Sequence, residues 1–218
     1  MQHNSNHAGE FYRNSSDEFS SEGHSDSLGI AGVIDVETTG LDPSHDEIVE
    51  LAICLFEFVK YSGEITGIVE EYVGLREPCA SITPGASRVH GLTFSDLKGW
   101  KLDDEKVESM IERAEFLISH NVSFDKNFVR QLFPVSENKT WLCSMKGIDW
   151  KKKGFASKGL QQLLYAHSIN VKTAHRAKED VLSAIELLSL NSVSGKTYLA
   201  ELLEKFSGKC EDNQNENL

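Results

Sequence analysis

No run of apolar residues in this 218-residue chain approaches the roughly 18 to 20 needed to cross a bilayer as a helix. The first residues, MQHNSNHAGEFYRNSSDEFSSEGHSDS, also lack the apolar core of a secretory signal. These two absences remove membrane functions from consideration and lead to the expectation of a soluble, cytoplasmic protein with no membrane partner. Its four cysteines (Cys54, Cys79, Cys143 and Cys210) form no C-x-x-C pair, so neither a zinc site nor a disulfide framework is suggested. There is no internal repeat. An excess of basic residues is missing too: 22 Lys and Arg stand against 34 Asp and Glu, for a net charge of −12. That balance argues at first sight against a phosphate-rich partner. Its distribution softens the objection. Residues 1–28 carry −4 and residues 208–218 carry −2, which leaves −6 for the body. Four of those negative charges would be neutralised in place if they bound divalent cations.

What is present divides the chain. The first 28 residues are rich in Ser, Asn, His and acids, too poor in aliphatics to repay the entropy of ordering, and read as a disordered arm. Three strand-like segments follow, LGIAGVIDVE (28–37), EIVELAICLFEF (47–58) and GIVEEYVGL (67–75), linked by short turns that suggest an antiparallel meander. Helical spacing then appears in LDDEKVESMIERA, with Val107, Met110, Ile111 and Ala114 on one face. EFLISHN reads as a short strand. SFDKNFVRQLF reads as a helix capped by Ser123, with Phe124, Phe128 and Leu132 stacked. Further helices are expected in KGLQQLLYAHSIN, RAKEDVLSAIELLSL and KTYLAELLEKF, the last ending at Gly208. Strands first and helices later indicate an α/β domain with a mixed sheet.

The chemistry concentrates in three stretches. In GVIDVETTGLDP the strand period of two sends Asp35 and Glu37 to one face and Ile34 and Val36 to the other. Two converging carboxylates repel one another and lose hydration. They are favourable only with compensation, either from Lys or Arg, from exposure at a strand end, or from a hard divalent cation such as Mg²⁺ or Mn²⁺. In SHNVSFDKNF, Asp125 falls in the first turn of a helix, where it is either a helix-dipole acid or a functional group. In TAHRAKEDVLSAIELL, His175 falls at or just before a helix start, and Asp180 lies one turn inside it beside the apolar stripe, which points it inward.

Taken in order, DVETTG, HNVSFD and HRAKED resemble the motifs of the DEDDh 3′–5′ exonucleases, the DnaQ-like family that includes the proofreading epsilon subunit of bacterial replicative polymerases and ribonuclease T. The resemblance runs from about Gly29 to Leu190. VHGLT (89–93) is similar to a His-Gly-Ile-Thr segment of that family, whereas WLCSMKG (141–147) departs from the Asp-Thr pair that many relatives carry. The resemblance implies a ribonuclease H-like fold, a five-stranded mixed sheet with its first three strands antiparallel and helices on both sides. It implies an exonuclease domain over residues 29–207, with a flexible polar tail over 208–218. It implies catalysis by Asp35, Glu37, Asp125, His175 and Asp180, the four acids holding two divalent cations (Mg²⁺ or Mn²⁺) and His175 acting as general base.

For substrate, the same resemblance implies a nucleic acid with a free, unpaired 3′ end. Leu41 and Phe124 would lie against the terminal base, Thr38 near the sugar through its main chain, and His120 close by. The ETTG turn favours DNA, and with it a DNA polymerase or another replication or repair protein as partner. An RNA-trimming enzyme and a non-catalytic adaptor on the same fold are the alternatives. The Lys146, Lys151, Lys152, Lys153 and Lys158 segment beside Trp150 and Phe155 reads equally as a phosphate-tracking face or as a solvated loop.

Overall fold

A computed structural model describes residues 27–170 and 175–215, with the side chains of the final helix described to Ser207. Its centre is a five-stranded sheet in the order β3-β2-β1-β4-β5. Strands β1 (Leu28–Thr38), β2 (Ile48–Val59) and β3 (Ile65–Leu75) form the antiparallel meander expected from the sequence, while β4 (Phe116–Ser119) and β5 (Thr140–Cys143) run parallel to β1. The helices are α1 (Pro84–His90), α2 (Phe94–Leu97), α3 (Asp104–Arg113), α4 (Val122–Leu132), α5 (Ser144–Gly147), α6 (Leu160–Ala166), α7 (Ala177–Ser189) and α8 (Tyr198–Asn215), with a 3₁₀ turn over Pro134–Asn138.

Strand alternation assigns each side of the sheet its own core. Ala31, Val33, Ala52, Cys54 and Phe56 pack beneath α6, α7 and α8. Ile34, Val36, Leu51, Ile53 and Leu55 pack beneath α3 and α4. β1 and β2 are therefore apolar on both faces, which explains why their sequences read as nearly continuous hydrophobic runs. Helix α3 begins where Asp103 accepts from the Lys106 N–H at 3.1 Å, with Asp104 and Glu105 in its first turn. Its buried face is Val107, Met110 and Ile111, as the spacing predicts.

Several expectations move. Helix α4 is capped by Asn121 and starts at Val122, so Ser123 sits inside it and donates to the Asn121 side chain. Leu132 is partly exposed, because the α4 face turns off the sheet by its last turn. Helix α6 stops at Ala166, where Ser168 takes a left-handed φ of 59°. Helix α8 passes the predicted stop and continues to Asn215, since one glycine weakens a helix by about 1 kcal/mol without breaking it. The boundary at 208 is thus not a break in the backbone, and 216–218 lie outside the described residues. So does the arm through residue 26, whereas Leu28, assigned to that arm, already pairs with Val59. Helices α1, α2 and α5 and strand β5 were not predicted. Each is seven residues or fewer, too short to show a period. No helix among the described residues is long and apolar enough to cross a membrane.

Gly32 sits in β1 where an added Cβ would meet Leu117 Cδ2 at 3.0 Å and Leu55 Cδ2 at 3.2 Å. Gly32→Val is therefore expected to cost about 1 to 3 kcal/mol by overpacking, read as a lowered urea midpoint. Gly67→Ala, with nothing within 4 Å, should leave the midpoint almost unchanged.

Candidate active site

The end of β1 carries two acids on the α7 face of a strand whose other residues from Ala31 to Thr38 are buried. Asp35 and Glu37 continue the row of Ala31 and Val33, and both keep partial exposure because that face opens into a cleft. Asp180 reaches the same point from α7. It is buried and accepts a hydrogen bond from Gln161 Nε2 at 2.7 Å. One oxygen from each of Asp35, Glu37 and Asp180 can lie within 4.8 Å of the others. Asp125 enters from the opposite layer. It sits in the first turn of α4, just past the C-terminal end of β4, at 3 % exposure. Its carboxylate accepts from the Val36 N–H at 3.3 Å and from the Ser119 hydroxyl, so it is tied to β1 and β4 together. The four acids and His175 line one cleft of about 330 Å³.

Four carboxyls in one half-buried place perturb one another. Burial, followed by repulsion from Asp125, Glu37 and Asp180, holds the Asp35 carboxyl well above the ordinary carboxylate range. Burial and then Asp180 and Glu50 push Glu37 up to about 8. Burial raises Asp125 to about 7 against the Ser119 and Val36 hydrogen bonds. Burial also raises Asp180 to about 6, opposed by His175 and Gln161. Among the described residues no Lys or Arg lines this cleft. The compensation the sequence demanded is therefore not supplied by a basic side chain within it. An all-oxygen donor set with elevated proton affinity fits a hard divalent cation.

His175 lies just before α7 with φ 60°, a left-handed conformation that costs a non-glycine residue on the order of 1 kcal/mol. The residue places its side chain among those lining the cleft. Next to it, Arg176 reaches back to Glu50 on β2, donating from Nε at 3.0 Å and from Nη2 at 2.7 Å.

The proposed substrate contacts divide. Phe124 and His120 line the cleft, whereas Thr38 and Leu41 are not among its lining residues. Leu41 stands 84 % exposed in the turn after β1. Thr38 is buried, its hydroxyl donating to the Gly40 carbonyl at 2.5 Å and its carbonyl accepting from His90 of the VHGLT segment at 3.2 Å. His120 has both ring nitrogens engaged: Nε2 donates to the Lys158 carbonyl at 2.7 Å, which leaves Nδ1 to accept from the Ser144 hydroxyl at 2.8 Å. It knits β4, α5 and the approach to α6. The lysine segment turns its aromatics inward. Trp150 is fully buried and donates to the Ser144 carbonyl, Phe155 packs on the same core, and Lys153 pairs with Glu201. It therefore offers no stacking aromatics, and only Lys146, Lys151 and Lys152 are exposed there.

The residues missed from sequence are Gln161, which holds Asp180, and the Glu50–Arg176 pair. Gln161 carries no signal in its spacing. Glu50 does: it is a lone acid within the apolar run IVELAICLF, at 1 % exposure, directly opposite Glu37 in the β1–β2 register.

Comparison with known proteins agrees with this geometry. A family model described as Exonuclease matches residues 33–188. The PolC-type DNA polymerase III of Thermotoga maritima is 32 % identical over 122 residues, 55 % of this chain but 8 % of that protein. The DNA polymerase III subunit epsilon of Treponema pallidum is 26 % identical over 163 residues, covering 71 % of this chain and 73 % of that protein. The chain thus spans a small part of the polymerases it matches and most of the epsilon subunit. Among solved structures, Escherichia coli exonuclease I in complex with a dT13 oligonucleotide superposes with a TM-score of 0.59 at 18 % identity, over 85 % of this chain and 43 % of that one.

The raised carboxyls fix a sign for stability. Glu37 binds its proton more tightly in the folded chain than in the unfolded one, so the stability it contributes is full below pH 4.5 and is lost as pH rises through the window up to about 8. In metal-free protein, Glu37→Gln is expected to raise the melting temperature at pH 8.5 by roughly 3 to 10 °C and to change it little at pH 4.5. Thermal melts in EDTA at the two pH values check this.

Proposed function

Since this chain belongs to the exonuclease family of the DnaQ and ribonuclease T type, we propose that it removes nucleotides from the 3′ end of single-stranded DNA, releasing nucleoside monophosphates, with divalent cations as cofactor. The observation that carries this reading is the convergence of Asp35 and Glu37 from β1, Asp125 from α4, Asp180 from α7 and His175 from the segment before α7 on one cleft. A non-catalytic adaptor would have no use for a repulsive cluster of this kind.

Asp35, Glu37 and Asp180 would hold one cation, and Asp35 with Asp125 a second. Cations held there would lower the pKa of a water nucleophile, neutralise charge on the attacked phosphate and steady the leaving oxygen. The protein's own groups do the rest. His175, at the cleft mouth, takes the proton from the attacking water as its oxygen bonds to phosphorus. The bond from phosphorus to the 3′ oxygen breaks, and the leaving oxygen is protonated from solvent. Phe124 offers the terminal base an apolar surface, a contact that contributes about 1 to 3 kcal/mol without reading sequence. The absence of cleft-lining Lys or Arg among the described residues leaves phosphate charge to be met by cations. Substrate affinity should accordingly depend on them.

Preference for DNA is supported by relatives named as DNA polymerases and by the oligonucleotide held by exonuclease I. The epsilon relative is by name a polymerase subunit, which supports a replication or repair protein as partner.

A 3′-labelled single-stranded DNA should be shortened from its labelled end in Mg²⁺ or Mn²⁺ and left intact in EDTA, with RNA of the same sequence cut more slowly. Asp180→Asn keeps the Gln161 hydrogen bond and should retain the fold while abolishing release of mononucleotides. Activity within about tenfold of wild type would refute the assignment. His175→Ala should reduce turnover by ~10² to 10⁴, and Mn²⁺ binding measured by paramagnetic titration should be retained.

A further inference from the structure

Glu50 is a fifth carboxylate beside four that already repel one another, and it adds to the repulsion felt by Asp35 and Glu37. Its two oxygens are spent elsewhere. Oε1 accepts from Arg176 Nη2 at 2.7 Å, while Oε2 accepts from Arg176 Nε at 3.0 Å and from the Ala177 N–H at 3.0 Å. The guanidinium thus grips it with two donors. The third bond caps the first N–H of α7, whose own N-cap residue, Arg176, supplies no side-chain acceptor. With both oxygens occupied, Glu50 is unlike Asp35 and Glu37 and is not a cation ligand. Such a pair is weak evidence of stability by itself, with Glu50 buried and the Arg176 side chain 38 % exposed.

The neighbouring geometry supplies a reason for the pair. Asp180 has holds of its own, in Gln161 and in its place one turn inside α7, although its carboxylate also meets the His175 backbone. His175 is not inside the helix. It sits exposed, in a left-handed conformation, one residue before the point where β2 grips the chain. We infer that Glu50 and Arg176 are positioning residues that clamp the start of α7 to β2 and thereby hold His175 in the orientation that faces the cleft. The inference rests on the exonuclease reading above. Glu50 and Arg176 touch neither substrate nor cation; their charges act on Glu37 in opposite senses, and the clamp itself acts through His175.

The two ideas fail separately. In the full-length chain, with single-stranded DNA and saturating Mn²⁺, Arg176→Ala should lower kcat by about 10- to 100-fold. KM for the oligonucleotide and the Mn²⁺ dissociation constant should stay within about threefold, and methylguanidinium in the buffer should restore part of the rate. In a His175→Ala background the same change should have almost no further effect, since two residues that act as a unit are not additive. Glu50→Gln keeps an acceptor for the Ala177 N–H and should reproduce the kcat loss with a smaller fall in melting temperature. Lys178→Ala, which removes an exposed pair with Glu71 on the same turn, is the control and should leave the rate unchanged. Arg176→Ala at wild-type rate, a full additive loss in the His175→Ala background, or a weakened Mn²⁺ affinity that accounts for the lost rate would each overturn the clamp. A His175→Ala variant as active as wild type would instead overturn the reading on which it rests.

Discussion

Mutual repulsion among acids is the constraint around which this protein is organised. Asp35, Glu37, Asp125 and Asp180 are brought together from a central strand and from helices on both sides of the sheet, and each is pushed above its ordinary proton affinity by the burial the others share. The energy to hold them comes from elsewhere. The two apolar faces of β1 and β2, packed against α6 to α8 on one side and α3 with α4 on the other, outweigh a local cost that the hydrogen bonds of Gln161 and Ser119 and the nearby His175 relieve only in part. The stable part of the fold and the reactive part thus use the same strand: Ile34 and Val36 anchor it while Asp35 and Glu37 are exposed to the cleft.

The architecture around the cleft shows a division between groups that touch its interior and groups that brace its walls. His120 and His90 look functional in a linear sequence, yet both ring nitrogens of each are bonded to the protein: His120 to Lys158 and Ser144, His90 to the Thr38 carbonyl and the Leu92 N–H. Burial lowers the proton affinity of both imidazoles. His175, in contrast, stands outside the regular structure and open to solvent.

Much of this was legible from residue pattern. The period of two in β1 placed Asp35 and Glu37 together, and the apolar stripe of α7 turned Asp180 inward, because both follow from local geometry. The meander and the mixed sheet followed from long runs with strong signals. What escaped had either little length or a distant cause. β5 and α5 are four residues each. The N-cap position of α4 falls at Asn121 rather than Ser123, and the Asn121 side chain makes no capping bond to the helix backbone, so capping preference did not set the start. The aromatic and basic run from Lys146 to Lys158 reads equally as a nucleic-acid face or a solvated loop, and its Trp150 packs with Phe155 and Tyr198 in the interior, where no local pattern distinguishes a stacking aromatic from a core one. Glu50 could have been found. The question asked of two acids in β1 applied equally to one acid in β2.

The sheet order has a further consequence for how the molecule comes into being. β1, β2 and β3 are joined by hairpins and can pair as soon as they are made, whereas β4 and α7 return to β1, and β5 to β4, only after long excursions of chain. Loop closure makes such distant contacts late in folding. During synthesis the meander therefore emerges with two acids of the cluster and without the partners that crowd them. The crowding is completed only when α7 docks, in the same step that completes the core on its side of the sheet through Ala177, Val181, Ala184 and Leu188. No partially folded chain has to carry the full electrostatic load, and none has a complete site with which to cut.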